Sequence, residues 1–295
     1  MTSSAAPALP RSAARRFLGM IAFEHSVFAL PFALLALWDA AGGSPLARDV
    51  LWVVVAMVAA RTFAMAVNRL ADREFDAANP RTAQRELVTG AVSGGHAWTG
   101  TALSLVVFAG AVSQLEPITR PLAPIALAAL AVYPYWKRWT WACHFGLGFA
   151  QAIAPVGAWI AVTGSLAPEP ILLGLAVGLW MAGFDLVYAT QDVQADRANG
   201  VHSVPADFSV VAALRLARAL HLGTVALWLA YGVTTGAGPL WWVAVAGGAA
   251  MLVYEHALVS ADDLSRVDRA FFTVNGWVAL AVGLVGVADT IVTGG

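Results

Sequence analysis

The chain has 295 residues, 59% of them hydrophobic and only 12% charged. Soluble domains carry about 25% charged residues, and a globule of this length could not hide so much apolar surface from water. A water-soluble fold and a disordered chain are both excluded. With a net charge of −1 and no basic stripe, nucleic acid is excluded as a partner. The single cysteine, Cys143, cannot form an internal disulfide, and no Cys/His cluster has zinc spacing.

Apolar runs cover 17–41, 50–70, 97–115, 122–136, 141–163, 171–189, 210–234, 239–259 and 271–292. A bilayer helix needs about 20 apolar residues, which all but the fourth run supply or approach. The chain therefore reads as an all-α membrane protein with about nine transmembrane helices, one integral-membrane domain over 1–295. Residues 1–14 read as a flexible tail. Arg11, Arg15 and Arg16 resemble the basic end of a signal peptide, but Glu24 and His25 interrupt the apolar run behind them, so it reads as a retained first helix.

Lys and Arg at the helix ends set the orientation. With the N-terminus cytoplasmic, fourteen of the seventeen fall on the cytoplasmic side, Arg48 and Arg120 fall opposite, and Arg61 lies inside a span. This predicts a multi-pass protein of the cell (inner) membrane with its two longest loops, 71–95 and 191–209, in the cytoplasm. Loops of that length in a compact bundle usually carry function.

Each long loop begins with an acidic stripe. Asn68, Asp72 and Asp76 are spaced four apart, which stacks them on one helical face. Asp185, Tyr188, Asp192 and Asp196 form a second stripe at i, i+3, i+7 and i+11. Asp72 and Asp76 each precede their counterparts by 120 residues, with four expected helices between, so the chain reads as a weak parallel duplication with both stripes on the same membrane face. Such repeats place paired sites at the repeat interface. Oxygen donors without sulfur or imidazole suit magnesium, which completes its shell with water and phosphate oxygens. Either stripe alone reads equally well as a solvated loop end. Two with matched spacing, side and separation favour a shared site gripping one diphosphate between two metal ions.

Cations accompany them: Arg81 and Arg85 after the first stripe, Lys137 and Arg138 between the fourth and fifth spans, and Arg197 after the second stripe. Each is also explained by positive-inside topology. Lys137, Arg138 and Arg81 are the expected diphosphate ligands, ahead of Arg69, Arg73, Arg85 and Arg197. Deeper in the membrane, Arg61 lies seven residues before Asn68, Asp185 lies seven before Asp192, and Glu24 and His25 sit within the first run. Ionisable residues at that depth are functional candidates. A structural Arg61–Asp185 or Arg61–Glu24 ion pair is the alternative, and His25 reads as a packing residue.

Asn68-x-x-x-Asp72-x-x-x-Asp76 followed by Asn79-Pro80-Arg81-Thr82, the segment Tyr133-Pro134-Tyr135-Trp136-Lys137-Arg138, and Tyr188-Ala189-x-x-Asp192-x-x-x-Asp196 occur in that order. They resemble the motifs of the UbiA superfamily of intramembrane prenyltransferases, over nearly the whole chain. Phe23-Glu24-His25-Ser26, Ala60-Arg61-Thr62-Phe63 and Gly183-Phe184-Asp185 are similar to the 4-hydroxybenzoate polyprenyltransferase branch, and closer still to UbiA-like enzymes of futalosine-route menaquinone synthesis. The resemblance implies a helical bundle around a central cavity, a polyprenyl diphosphate donor, Mg2+ and a small aromatic acceptor, with 1,4-dihydroxy-6-naphthoate expected and 4-hydroxybenzoate as the alternative.

On this reading Asn68, Asp72, Asp76, Asp192 and Asp196 hold metal. Lys137, Arg138, Arg81, Asn68 and Tyr188 meet the donor diphosphate, with Lys137 and the four aspartates catalytic. Arg61 meets an acceptor carboxylate, and Asp185 or Glu24 helps remove a proton. A multi-span transporter is the rival from another class, but it would want its carboxylates near mid-membrane with a route to both faces.

Overall fold

A computed structural model describes residues 13–21 and 28–294, and the described residues are helical with no strand. In chain order the helices are α1 (Ala13–Met20), α2 (Leu30–Ala40), α3 (Ala47–Ala71), α4 (Arg73–Ala78), α5 (Gly94–Val112) and α6 (Thr119–Val132). A 3-10 turn, Tyr133–Arg138, leads to α7 (Cys143–Thr163) and α8 (Pro168–Ala189). Then come α9 (Val193–Asn199), α10 (Val204–Asp207), α11 (Val210–Thr235) and α12 (Pro239–Leu258). A π-helical segment, Arg269–Val274, runs into α13 (Asn275–Thr293).

Among the described residues six helices are long and apolar enough to cross a membrane: α3, α5, α7, α8, α11 and the continuous helix Arg269–Thr293. They coincide with six of the nine expected runs. The other three expected positions hold shorter or less apolar helices. The described part of the first run is split between α1 and α2, and the fourth is the 14-residue α6, with Pro124 inside it. Glu24, His25 and most of the expected N-terminal tail lie outside the described residues.

Local chemistry explains the helix ends. Pro168 and Pro239 open α8 and α12 at positions whose N–H needs no helical partner. Gly164 and Gly236 close α7 and α11 in the left-handed conformation, which glycine adopts without strain. The second long loop ends with Ser209 capping α11 through its hydroxyl, in place of a glycine.

Helix α8 is the centre of the bundle, packed against α7 on one side and α11 on the other. The α7–α8 approach requires glycine. A Cβ on Gly148 would stand 2.4 Å from the Gly178 carbonyl oxygen, a contact no side chain could accept. Helices α2, α12 and α13 close the bundle beyond α11, while α3 pairs with α5 and α6. Trp180, Trp228 and Trp241 fill the core between these elements. Trp241 is buried, and its indole donates to the Trp228 carbonyl at 3.2 Å. Trp98 and Trp139 are exposed, as tryptophans at a membrane interface are. Glu255 is fully buried on α12, 3.9 Å from His221.

Candidate active site

Two matching joints build the site. Helix α3 ends at Ala71, and Asp72 connects it to α4 with φ −93° and ψ 0°. Helix α8 ends at Ala189, and after one turn Asp192 introduces α9 with φ −103° and ψ 1°. Both aspartates occupy the bridge region, sparsely used and frequent at active sites. Helical pairing resumes directly behind each. The Asp76 N–H donates to the Asp72 carbonyl and the Asp196 N–H to the Asp192 carbonyl, each at 2.8 Å. Each stripe therefore keeps its helical register while the chain bends, and α4 packs against α9.

The two joints face one polar cleft of about 220 Å³. Asn68, Asp72, Asp76, Asp185, Tyr188, Asp192 and Asp196 all line it, together with Arg81, Arg85 and Lys137. Three of its carboxylates carry a basic partner. Lys137 Nζ meets Asp72 Oδ2 at 2.7 Å, and Arg85 Nη1 meets Asp76 Oδ1 at 2.5 Å. Arg81 grips Asp192 in a fork, Nε on Oδ1 at 2.9 Å and Nη2 on Oδ2 at 2.5 Å, while its Nη1 donates to the Tyr188 hydroxyl. The Arg81 guanidinium also covers the Tyr188 ring, 4.7 Å from its centroid. Planar, bidentate geometry of this kind is the arginine-specific way to hold a carboxylate or phosphate.

The segment after the first joint works as a clip. Asn79 donates from Nδ2 to Asp192 Oδ1 at 2.7 Å, and its own Oδ1 accepts from the Arg81 N–H. The Thr82 hydroxyl donates to the Asp76 carbonyl. Asn79 thus fastens the first loop onto the second joint, a contact that the sequence spacing does not disclose.

The remaining basic residues stand elsewhere. Arg138 donates to the Ala71 carbonyl at 2.6 Å, so it caps α3 beside Phe75 and Tyr135, outside the cleft lining. Arg69 turns to the Met20 carbonyl, Arg197 to the Ala206 carbonyl, and Arg73 is exposed.

Burial and crowding set the electrostatics. The Asp72 carboxyl is raised above the usual carboxylate range by burial, against the pull of Lys137. Asp196 is pushed up to about 6 by burial and then by the charge of Asp192, while the Ser203 hydroxyl donating at 3.1 Å opposes the rise. Asp72 Oδ1 is buried with no hydrogen-bond partner. An orphaned carboxylate oxygen in a cleft lined by oxygen donors, with no imidazole or thiol, fits a hard divalent cation. Among the described residues no three His, Cys, Asp or Glu side chains are already gathered at metal-binding distance, and three of the carboxylates are paired with Lys137, Arg85 and Arg81.

Asp185 has a partner that sequence reasoning missed. Its Oδ2 pairs with His144 Nδ1 at 2.6 Å, and His144 is almost wholly buried. The signal was present: His144 and Gly148 are four apart, so His144 lies on the face of α7 that Gly148 presses against α8. Arg61 forms no ion pair among the described residues, so the structural Arg61–Asp185 pair does not occur. Its Nε is buried without a partner. Among the described residues, Arg61 is the only charged one lining a second, apolar cavity of about 340 Å³ between α3, α6 and α7, which Gln151 also lines.

A bundle of long apolar helices thus carries one cleft lined by paired acidic joints and three basic side chains. The pattern of the UbiA prenyltransferase family matches residues 29–277. The chain is 33% identical over 247 residues to the 4-hydroxybenzoate octaprenyltransferase of Alkalilimnicola ehrlichii, covering 83% of each chain. It is similar to the apo structure of a UbiA homologue from Aeropyrum pernix K1, with a TM-score of 0.83 and 32% identity over 90% of this chain and 98% of that one. A UbiA homologue from Archaeoglobus fulgidus, bound to DMAPP and Mg2+, shares the fold with a TM-score of 0.73 at 19% identity, over 94% of this chain and 99% of that one. The chain belongs to the UbiA prenyltransferase family and is a prenyltransferase.

Proposed function

We propose that the protein transfers a polyprenyl group from a polyprenyl diphosphate to 4-hydroxybenzoate, in the polar cleft and with Mg2+. The carrying observation is that two acidic joints from distant parts of the chain, and three cations, line one cleft. The sequence alone favours 1,4-dihydroxy-6-naphthoate as acceptor. Relatives at about one-third identity over most of the chain, carrying the 4-hydroxybenzoate name, favour the other acceptor instead.

Asn68, Asp72, Asp76, Asp192 and Asp196 would hold magnesium, which supplies positive charge against the diphosphate as it leaves. Lys137, Arg85 and Arg81 are spent on carboxylates in the structure, and each has a charge-assisted bond to exchange for a phosphate oxygen once metal takes the carboxylates. Fixed cations lower the barrier because the departing diphosphate gains charge in the transition state. Tyr188 keeps Arg81 oriented by hydrogen bond and ring contact. The apolar cavity shields an allylic cation from water and has room for the prenyl tail. At its polar end the unpaired Arg61 guanidinium takes the acceptor carboxylate. The N-terminus and both loops lie in the cytoplasm, where phosphate donors and magnesium are supplied.

The test is turnover by purified protein with Mg2+ and a polyprenyl diphosphate, offering 4-hydroxybenzoate against 1,4-dihydroxy-6-naphthoate. Prenylated 4-hydroxybenzoate is expected, with none formed in chelator. Preference for the naphthoate would overturn the acceptor, and no transfer to either would overturn the reading.

A further inference from the structure

Of the five carboxylates lining the cleft, Asp185 is distinct. Asp72, Asp76 and Asp192 are each neutralised by a lysine or arginine, and Asp196 accepts from a serine hydroxyl. Asp185 is held only by an imidazole, with its other oxygen free of hydrogen bonds from the described residues. It also lies deeper. Asp185 stands inside α8, four residues before its end at Ala189, whereas Asp192 stands beyond that end and introduces α9.

His144 is held at both ring nitrogens. Nε2 lies 3.4 Å from the Val204 nitrogen, and Nδ1 lies 2.6 Å from Asp185 Oδ2. An imidazole anchored at both ends orients the carboxylate it meets, as outer partners do around other catalytic groups. The same histidine ties two parts of the site. Val204 follows Ser203, whose hydroxyl holds Asp196, and the neighbouring His202 N–H donates to the Lys137 carbonyl at 2.7 Å. Tyr133, on the 3-10 turn, stands within electrostatic reach of both Asp185 and Arg61.

Resting on the acceptor reading above, we infer that Asp185 is the base that removes the ring proton in prenyl transfer, and that His144 is the positioning residue that keeps it ionised and aimed. The bond from prenyl C1 to the diphosphate oxygen breaks, and its electron pair leaves with the diphosphate. A ring carbon beside the acceptor hydroxyl forms the new bond to C1. The proton on that carbon passes to the free oxygen of Asp185, restoring the aromatic ring, while the other oxygen keeps its bond from His144. The resulting carboxylic acid returns its proton to water in the cleft. The four joint aspartates are unsuited to this step, because metal and cations occupy them.

The experiment compares wild type, D185N, H144A and H144N, in turnover and in Mg2+-dependent binding of geranyl diphosphate. It uses 4-hydroxybenzoate with and without deuterium beside the hydroxyl. Losing a general base lowers rates by about 10²–10⁴-fold. D185N should lose kcat on that scale while binding geranyl diphosphate as wild type does, and its ring-deuterium isotope effect should rise as proton removal becomes rate-limiting. H144A should show a smaller loss with the same isotope signature, and H144N, whose amide can still donate to Asp185, should recover most of it. Unchanged binding of the diphosphate certifies a folded site in each variant. The inference is overturned if D185N turns over normally. It also falls if the isotope effect stays at the wild-type value, or if H144A alters only the donor KM. Absence of wild-type turnover with 4-hydroxybenzoate would overturn the acceptor reading itself, which the variants do not address.

Discussion

Asp72 and Asp192 adopt nearly the same backbone conformation in two distant parts of the chain, yet their surroundings differ. The first joint supplies its own neutralisation. Arg85 from its own loop holds Asp76, and Lys137, still in the first half, holds Asp72. The second joint borrows. Asp192 is gripped by Arg81 and Asn79 from the first loop, and Asp196 has only the Ser203 hydroxyl and a carboxyl pushed up to about 6. Every cation on a joint aspartate thus comes from the first half. The two joints share a backbone conformation, while the cations that neutralise them come from one part of the chain.

That asymmetry orders the expected losses. Changing Asp72 or Asp192 to Ala should cost about 10³-fold or more in transfer, since each would remove a proposed metal oxygen and the carboxylate partner of Lys137 or Arg81; protein inserted and folded as wild type, with near-normal turnover, would reject the assignment. R81A should follow with a loss of about 10²-fold, because one guanidinium serves the second joint and Tyr188 together. R81K keeps the charge but not the fork, so it should recover only part of that rate. K137A should raise the donor KM or lower kcat by about 10-fold or more, and an effect confined to the acceptor would place Lys137 elsewhere. R138A should be mildest, about two- to threefold, the scale of a surface contact, because Arg138 caps α3 outside the cleft. A loss as deep as that of R81A would move Arg138 into the donor site.

Much of this was legible from spacing. Four-residue and seven-residue intervals survive in any helical arrangement, so the two stripes, their common face and the cations near them could be read from the chain. The bends at Asp72 and Asp192 could not, because an i, i+4 pattern is the same in a straight helix and across a joint that keeps its register. Partner choice was hidden for a different reason. Which of Arg69, Arg73, Arg81, Arg85, Lys137, Arg138 and Arg197 meets a carboxylate is decided by packing between distant segments, and the sequence weighted Arg138 above Arg85 on charge alone. His144 stood in an apolar run 41 residues from its partner, and only the small residues beside it marked the face it shares with α8.

The central claim is that both joints, rather than either alone, hold the donor. Mg2+-dependent binding of an unreactive prenyl diphosphonate to wild type, D72A and D192A measures this without chemistry. Each single variant should lose binding nearly as completely as removal of the metal does. Retention of wild-type affinity by either one would show that the opposite joint suffices, and would contradict the shared grip.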